Sequence, residues 1–264
     1  MELGLRDRRA LVTGSTAGIG FATARLLAGE GAEVVINGRT AERVNRAIER
    51  IREDFPSAPL TGVAADLGTA RGCAEVIERV PGVDILVNNV GIFEPKPFEE
   101  IPDEDWVRFF EVNVLSGVRL TRHYLPRMRI ARWGRVVFVS SESAVQIPSE
   151  MIHYGMTKTA QVAIARGVAE TVAGRGVTVN TVLAGPTASE GVADFVQRLA
   201  RDRGVDFATM EREFFTSARP SSLLRRFAHP AEVAAMIVYL CSEQASATTG
   251  AAVRADGGVV RAIL

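Results

Sequence analysis

Two side chains capable of acid–base chemistry stand four residues apart, Tyr154 and Lys158. Four residues of an α-helix turn through about 400° and rise about 6 Å, so both side chains would share one helix face. A phenol has an ordinary pKa of about 10, which is too high for efficient proton transfer at neutral pH. A neighbouring ammonium group favours the phenolate, so this spacing predicts that Lys158 lowers the pKa of Tyr154 and also bonds a cofactor ribose. The alternative interpretation is an incidental pair on a helix surface.

A hydroxyl group that would complete such a site closes a predicted strand at Ser140 and Ser141. Ser141 precedes Tyr154 by thirteen residues. Its hydroxyl would bond a substrate carbonyl and the tyrosine oxygen, and Ser143 is a less favoured substitute. The alternative interpretation is a serine that caps a turn at the end of the strand.

A glycine-rich segment, Thr13–Gly20, follows the first predicted strand and opens the first predicted helix. Glycine lets the backbone turn tightly and approach a pyrophosphate, while a helix N-terminus offers free N–H groups and a positive dipole end. The segment therefore predicts a dinucleotide site rather than an ordinary glycine turn. Its predicted contact residues are Gly14, Ser15, Gly18, Ile19 and Gly20.

The ends of the next two predicted strands bear on which dinucleotide binds. Gly38 occupies the place where an acid would hold the ribose hydroxyls of NAD, and Arg39 follows it, able to pair with a 2′-phosphate. This favours NADP over NAD, unless Arg39 is only a solvated turn residue. Asp66, with Leu67 beside it, would accept a bond from the adenine amino group or, alternatively, cap the following helix.

These residues are positioned by strands that alternate with helices. The predicted strands are Arg9–Thr13, Glu33–Asn37, Leu60–Ala65, Asp84–Asn88, Arg135–Ser140, Val177–Leu183 and Ala251–Ala255. Helical patterns cover Phe21–Ala28, Val44–Phe55, Ala70–Arg79, Trp106–Asn113, Leu120–Met128, Met151–Val172 and Ala231–Ser242. The alternation predicts an α/β fold: a doubly wound, mostly parallel, seven-stranded Rossmann-like sheet with helices on both faces. Residues 1–264 would form one catalytic domain, with its motifs at the C-terminal ends of the strands.

One long segment, at about 186–226, interrupts the alternation between the sixth strand and the last helix. Long insertions at the C-terminal end of a strand are often lids over a substrate. Its large apolar side chains suit an apolar substrate or, equally, packing within the lid or between subunits. They are Phe195, Leu199, Phe207, Met210, Phe214 and Phe215.

Composition excludes several functional classes. The 264 residues carry 31 basic and 31 acidic side chains, and this balance argues against nucleic acid or an anionic membrane as the main partner. The longest apolar run, Val233–Cys241, is far shorter than the roughly 20 residues that span a bilayer. Two cysteines and no signal-peptide pattern fit the reducing cytoplasm. Three scattered histidines predict no metal site.

Together these motifs resemble the short-chain dehydrogenase/reductase family in its single-domain branch, over about residues 5–260. Thr13–Gly20 matches its TGxxxGxG, Asn88–Gly91 matches its Asn-Asn-Ala-Gly with valine for alanine, and Asp256–Gly258 matches its terminal Asp-Gly-Gly. The resemblance implies the catalytic residues Asn113, Ser141, Tyr154 and Lys158. It also implies cofactor contacts from Asn89, Gly91, Tyr154, Lys158, Gly185 and Thr187. The chain departs from the family at Ala184, where Pro-Gly is usual in place of Ala184-Gly185.

The resemblance implies an NADP(H)-dependent interconversion of a ketone and a secondary alcohol. Ser141 and Tyr154 would bond the carbonyl oxygen, and Tyr154 would give its proton as a hydride arrives from the nicotinamide. Lys158 would lower the pKa of Tyr154 and hold the ribose, while Asn113 would position Lys158 and a water. The resemblance further implies a homo-oligomer, usually a tetramer, for which the apolar tail Val253–Leu264 would suit an interface.

Two other functions stay open at this point. A 3-oxoacyl-(acyl-carrier-protein) reductase would share the fold and catalysis, and a group of arginines could attract an acidic carrier protein. These arginines are Arg122, Arg127, Arg129 and Arg132. A non-enzymatic NADP-binding sensor would keep the fold without needing the proton chemistry.

Overall fold

The computed structural model describes residues 2–190, 192 and 204–263, which form alternating strands and helices. The strands are β1 (Arg9–Val12), β2 (Glu33–Gly38), β3 (Leu60–Ala64), β4 (Ile85–Asn88), β5 (Gly134–Ser141), β6 (Val177–Ala184) and β7 (Ala252–Ala255). The helices are α1 (Gly18–Gly29), α2 (Ala41–Asp54), α3 (Ala70–Arg79), α4 (Asp103–Phe110), α5 (Ser116–Ala131), α6 (Ile152–Thr171), α7 (Phe207–Ser217) and α8 (Pro230–Cys241). In this described part, no helix is long and apolar enough to cross a membrane.

The seven strands form one sheet in the order β3-β2-β1-β4-β5-β6-β7, and every neighbouring pair is parallel. The predicted doubly wound Rossmann-like fold is therefore confirmed. The chain winds outward from β1 to β3 and then returns to the other side of β1 at β4. This reversal opens a crevice beyond the C-terminal ends of β1 and β4, the position at which such sheets bind ligands.

The sheet separates two apolar layers, as expected for parallel strands that are buried on both faces. In β5, for example, Val137 and Val139 point into the layer formed with α1, α2 and α8. Val136 and Phe138 point into the opposite layer, with α3, α5 and α6. The strands are thus held rigidly, and their C-terminal ends form a fixed platform for the loops that follow.

A π-helical segment, Glu111–Leu115, joins α4 to α5. The two patterns predicted at Trp106–Asn113 and Leu120–Met128 are therefore parts of one interrupted helix. Such π-bulges often occur at functional sites. Here the bulge carries Asn113, whose side chain is buried beneath the crevice.

Candidate active site

The crevice is a single cleft of about 1010 Å³ that runs from the loop after β1 to α7. It brings together most of the residues that the sequence singled out. Those that line it are Gly14, Gly18, Ile19, Arg39, Asn89, Gly91, Ser141, Tyr154, Lys158, Gly185 and Thr187. The predicted residues Ser15, Gly20, Asp66, Leu67 and Asn113 are not part of this lining.

The glycine turn after β1 needs its glycines for two different reasons. Gly14 and Gly18 have φ values of 60° and 56°, a left-handed conformation that glycine adopts without strain. Gly20 is in ordinary helix, but a Cβ there would lie 2.5 Å from the Asn89 amide nitrogen. The turn therefore packs directly against the loop after β4.

The N-terminus of α1 opens onto the cleft without a side-chain cap. Ala17 is its N-cap residue and forms no capping bond, whereas Thr40 and Thr69 cap α2 and α3. Because Ala17 has no side-chain oxygen, the first N–H groups of α1 remain available to an anion. The bare N-terminus and the left-handed glycines fit the phosphates of a dinucleotide.

Two asparagines brace the turn, the buried Asn37 and the half-buried Asn89, and the sequence motifs indicated neither for that role. Asn37 Oδ1 accepts from the Gly14 N–H at 3.1 Å, and its amide donates to the Val63 carbonyl at 3.1 Å. The Asn89 amide donates to the carbonyls of Thr13 and Gly14, at 2.9 and 3.2 Å. A polar residue inside the otherwise apolar β2 was the available signal for Asn37.

The adenosine end of the cleft carries two arginines. Arg39 and Arg43 are exposed and line it, and Arg43 also pairs with Glu190 at 3.3 Å. A Cβ at Gly38 would overlap the methyl group of Thr16. An acid at position 38 would therefore need the Thr16 side chain to move.

The residues predicted after β3 have structural roles. Asp66 Oδ1 accepts from the Gly68 N–H at 3.0 Å and so forms a turn, while the N-cap of α3 is Thr69. The alternative prediction of a helix cap at Asp66 is wrong, because the helix begins one turn later. The Leu67 side chain is buried in the core.

Ser15 also turns away from the cleft. Its side chain is buried, and its hydroxyl donates to the Val12 carbonyl at 2.7 Å and accepts from the Asn37 N–H at 2.9 Å. This bond pattern fixes the glycine turn to β1 and β2. The Ser15 N–H also donates to the Asn37 carbonyl at 2.8 Å, so both donors of Ser15 are used within the protein.

The predicted reacting side chains meet where β5 and α6 approach each other. Tyr154 and Lys158 share one face of α6, and the Lys158 Nζ lies 5.6 Å from the centre of the Tyr154 ring. Phe93, in the loop after β4, packs edge-on against the same ring with centroids 6.5 Å apart. Ser141 closes β5, and its hydroxyl accepts from the Ser143 N–H at 3.1 Å.

Burial changes the proton affinity of both groups. Desolvation raises the pKa of Tyr154, and the charge of Glu142 adds to this, while the Ser141 hydrogen bond and the Arg219 charge act in the opposite direction. Desolvation lowers the pKa of Lys158 to about 8, against the opposing effect of Glu142. The pKa of Tyr154 is therefore raised overall, opposite to the lowering that its spacing from Lys158 predicted. Loss of hydration dominates because both groups are buried.

Asn113 lies beneath the cleft and does not line it. Its Oδ1 accepts from the Ile92 N–H at 2.7 Å, and its amide donates to the Ile92 carbonyl and to Thr157 Oγ1, both at 3.0 Å. These bonds tie the π-helical segment to the loop after β4 and to α6. The side chain thus fixes the frame around Lys158 without touching its Nζ.

The loop after β6 runs close to the end of β7, although it lacks the family's usual proline. The Gly185 N–H donates to the Ala255 carbonyl at 3.1 Å, and a Cβ at Gly185 would overlap the Asp256 carbonyl. Thr187 Oγ1 donates to the Gly185 carbonyl at 2.9 Å. Asp256 in turn accepts from the N–H groups of Gly258 and Val260, at 3.0 and 2.9 Å. The terminal Asp-Gly-Gly turn therefore supports the predicted nicotinamide end of the cleft.

A buried charge network lies beside Ser141, and sequence reasoning missed it. Glu142 receives a hydrogen bond from the Ser141 hydroxyl and pairs with Arg219 Nε at 3.0 Å. Arg219 also bonds Glu150 at 3.0 Å. Glu142 and Arg219 are only 4% and 8% exposed, so their pairing offsets the cost of burying either charge alone.

Part of the predicted lid lies outside the described residues, including Phe195 and Leu199. In the described part, α7 and the residues after it line the cleft through Met210, Phe214 and Arg219. The apolar side chains of this part pack mainly on one another. Phe214, Phe215 and Phe227 have ring centroids 5.1 to 5.2 Å apart, which supports the packing interpretation of these phenylalanines.

Comparisons with known proteins agree with this site. The family model described as enoyl-(acyl carrier protein) reductase matches residues 14–260. The uncharacterized oxidoreductase YvaG of Bacillus subtilis strain 168 is 48% identical over 263 residues, which cover 100% of both chains. The 3-oxoacyl-(acyl-carrier-protein) reductase FabG of Aquifex aeolicus is 32% identical over 263 residues, covering 98% of this chain and 100% of the relative.

A solved structure extends the likeness to the whole fold. L-sorbose reductase from Gluconobacter frateurii, complexed with NADPH and L-sorbose, matches with a TM-score of 0.94 and 32% identity. The match covers 100% of both chains. All these relatives are oxidoreductases by name.

Proposed function

The chain belongs to the short-chain dehydrogenase/reductase family, and we propose that it reduces a ketone to a secondary alcohol with NADPH. It is an oxidoreductase that acts on CH–OH and C=O groups, so the sensor alternative is not retained. One observation carries the proposal: Ser141, Tyr154 and Lys158 line the same cleft as the glycine turn and Arg39. A dinucleotide and a carbonyl substrate would therefore bind side by side in this one cleft.

The nicotinamide, when bound, supplies the hydride. When a ketone binds, the Ser141 hydroxyl would turn from Glu142 to the carbonyl oxygen, and Tyr154 would give that oxygen a proton as the carbonyl carbon is reduced. Lys158 would bond the ribose of the cofactor and keep a positive charge near the phenol. That charge favours loss of the tyrosine proton, against the burial that retains it. Asn113 acts through the frame that it ties to Ile92 and Thr157.

Tyr154→Phe tests these roles because it removes only the phenolic oxygen. We expect the turnover number with NADPH to fall by about 10²- to 10⁴-fold, the usual contribution of a positioned proton donor. NADPH affinity, measured by fluorescence titration, should stay within about twofold of the wild type. Unchanged turnover would remove Tyr154 from the chemistry.

The support for NADPH over NADH comes from the adenosine end of the cleft. Arg39 and Arg43 line the cleft there, and Thr16 closes the place in which an acid at position 38 would bind ribose hydroxyls. L-sorbose reductase, which has the same fold, was crystallised with NADPH. An arginine beside a 2′-phosphate forms strong charge-assisted hydrogen bonds with it. NADH has no 2′-phosphate and cannot form them.

We further propose that the substrate is an uncharged ketone that carries hydroxyl groups. The part of the lining formed by residues 142–151 and by 210–219 carries charged and hydroxyl side chains beside apolar ones. Two carboxylates, from Glu142 and Glu150, share one guanidinium, from Arg219. The serines Ser143, Ser149 and Ser217 add hydroxyl groups to the same lining. An anionic ketone would meet a net negative surface there, whereas hydroxyl groups would find acceptors and donors.

A substrate panel distinguishes this proposal from the 3-oxoacyl-(acyl-carrier-protein) reductase alternative. NADPH oxidation would be followed with L-sorbose, with acetoacetate and with a 3-oxoacyl thioester at matched concentrations. We expect kcat/KM for L-sorbose to exceed that for acetoacetate by at least about tenfold, since one unfavourable charge contact costs about 1 kcal/mol or more. A preference for the thioester would favour the alternative, to which the exposed arginines of α5 would then contribute.

Three further expectations accompany the proposed function. The segment 186–226 acts as a lid that closes over the substrate. The chain forms a homo-oligomer, expected to be a tetramer, in which exposed Leu223 and Ile263 near β7 would be covered. Finally, an enzyme with only two cysteines in 264 residues is expected to work in the reducing cytoplasm.

A further inference from the structure

The Lys158 ammonium group is held by a side chain to which the sequence motifs gave no role. Its Nζ donates to the Val139 carbonyl at 3.0 Å and to Gln161 Oε1 at 3.2 Å. Gln161 follows Lys158 by three residues on α6 and is 2% exposed. The other end of its amide donates to the Asn113 carbonyl at 2.6 Å.

The two neighbours of Gln161 allow only one orientation of its amide. An ammonium group only donates and a carbonyl only accepts, so Oε1 must face Lys158 and Nε2 must face Asn113. The side chain therefore forms a bridge of fixed direction from the π-helical segment to Nζ. With two of its three N–H donors used on Val139 and Gln161, Nζ keeps a third for the cleft that Lys158 lines.

We propose that Gln161 is a positioning residue that aims the Lys158 ammonium group and links it to the Asn113 main chain. The proposal rests on the proposed function for its effect on turnover, but not for its effect on Lys158. It also gives Asn113 a second role, since its main-chain oxygen connects to Lys158 through this bridge. The side-chain bonds of Asn113 fix that oxygen in place.

The bridge also stabilises the charged form of Lys158, because a carbonyl oxygen interacts more strongly with an ammonium than with an amine. Burial opposes that charge and lowers the pKa of Lys158 to about 8. Glu142 is the charged group that acts on Lys158 from the segment after β5, and Tyr154 is the titratable neighbour on α6. Changes at Gln161 should therefore move the titration of Lys158 in a direction set by the new side chain.

Two variants make opposite predictions. Gln161→Leu keeps the approximate volume and removes the acceptor, so Lys158 should titrate about one pH unit lower. Gln161→Glu replaces the amide by a carboxylate, so Lys158 should titrate about one pH unit higher. Gln146→Leu is the matched control, because Gln146 is exposed and bonds Ser221 away from this network.

The titration can be read directly because the chain has only two lysines, Lys96 and Lys158. Protein labelled with ¹³Cε-lysine would give two resolved NMR signals over a pH series. Lys96, paired with Asp105 and Glu94, serves as an internal reference that the Gln161 variants should leave unchanged. Opposite shifts of the Lys158 signal in the two variants are expected, with no shift in Gln146→Leu.

The same variants should show the effect on the reaction. The alkaline limb of the kcat pH profile should move with the Lys158 signal, lower in Gln161→Leu and higher in Gln161→Glu. Shifts in the same direction in both variants, or a Lys158 signal that does not move, would overturn the proposal. If the signals shift as expected but the wild type reduces no ketone, the proposed function fails while the bridge stands.

Discussion

Removing the charge of Arg39 should weaken NADPH binding and leave NADH binding almost unchanged. Arg39 is exposed at the end of β2 and lines the cleft beside Arg43. Arg43 already pairs with Glu190 at 3.3 Å, so Arg39 is the better placed of the two to serve a 2′-phosphate. Arg39→Ala deletes this guanidinium without altering the glycine turn.

The size of the effect follows from the exposure of the site. Hydrogen bonds to charged groups contribute roughly 1.5–3 kcal/mol, and an exposed arginine lies toward the lower part of that range because water screens it. A loss of about 2 kcal/mol corresponds to about a 30-fold increase in Kd for NADPH. NADH carries no 2′-phosphate, so its Kd should change by less than about twofold.

Fluorescence titrations with NADPH and NADH would measure both constants. Arg46→Ala is a matched control, since Arg46 is an exposed arginine of α2 that pairs with Glu42 and does not line the cleft. Raising the salt concentration should weaken NADPH binding more in the wild type than in Arg39→Ala, because the lost contact is electrostatic. An equal loss for both cofactors, or no loss for either, would refute the 2′-phosphate assignment.

Two further predictions concern the cofactor turn and the core beneath the site. Gly38→Asp should weaken the binding of both NADPH and NADH in fluorescence titrations, because the new Cβ would overlap Thr16. It should not convert the enzyme to an NADH-dependent one, and tight NADH binding would contradict this. His153→Leu should raise the free energy of unfolding by about 1 kcal/mol at pH 7 in urea denaturation, since both buried ring nitrogens lack a partner among the described residues. Burial lowers the pKa of His153, so the unfolded chain binds the extra proton and the wild type loses stability as the pH falls below about 6.5. The advantage of His153→Leu should therefore grow toward acid pH, and a constant difference would count against this account.

The parts of the fold that the sequence predicted well are those that local pattern determines. Buried parallel strands such as β5 contain continuous apolar runs, here Val136–Val139, and their C-terminal residues mark the ligand side of the sheet. The spacing of Tyr154 and Lys158 on one helix is likewise a local property, so their common face could be predicted.

The features that the sequence did not predict depend on contacts between segments that are distant in the chain. Glu142 and Arg219 are 77 residues apart in the sequence and meet only when α7 packs over the cleft. Gln161 bonds Asn113 across 48 residues, and nothing in its local sequence indicates a bridge. The direction of the Tyr154 pKa shift also failed as a prediction, because burial is a property of the folded chain.

The placement of single residues at loop ends was the other weak point. Asp66 was the predicted alternative cap, but α3 begins at Ala70 and its cap is Thr69. Ser15 belongs to the glycine motif, yet its side chain is used to hold β1 and β2 together. A motif therefore predicts which loop meets the ligand better than it predicts which side chains do so.

The most direct test of the central claim is the transfer of deuterium from NADPH deuterated at C4 of the nicotinamide. With L-sorbose as the acceptor, the account predicts that the product polyol carries one deuterium on the new carbinol carbon, detected by mass spectrometry and NMR. Tyr154→Phe should yield almost none of this product. Oxidation of NADPH with no deuterium in any product alcohol, across L-sorbose, acetoacetate and the thioester, would contradict hydride transfer to a carbonyl at this site.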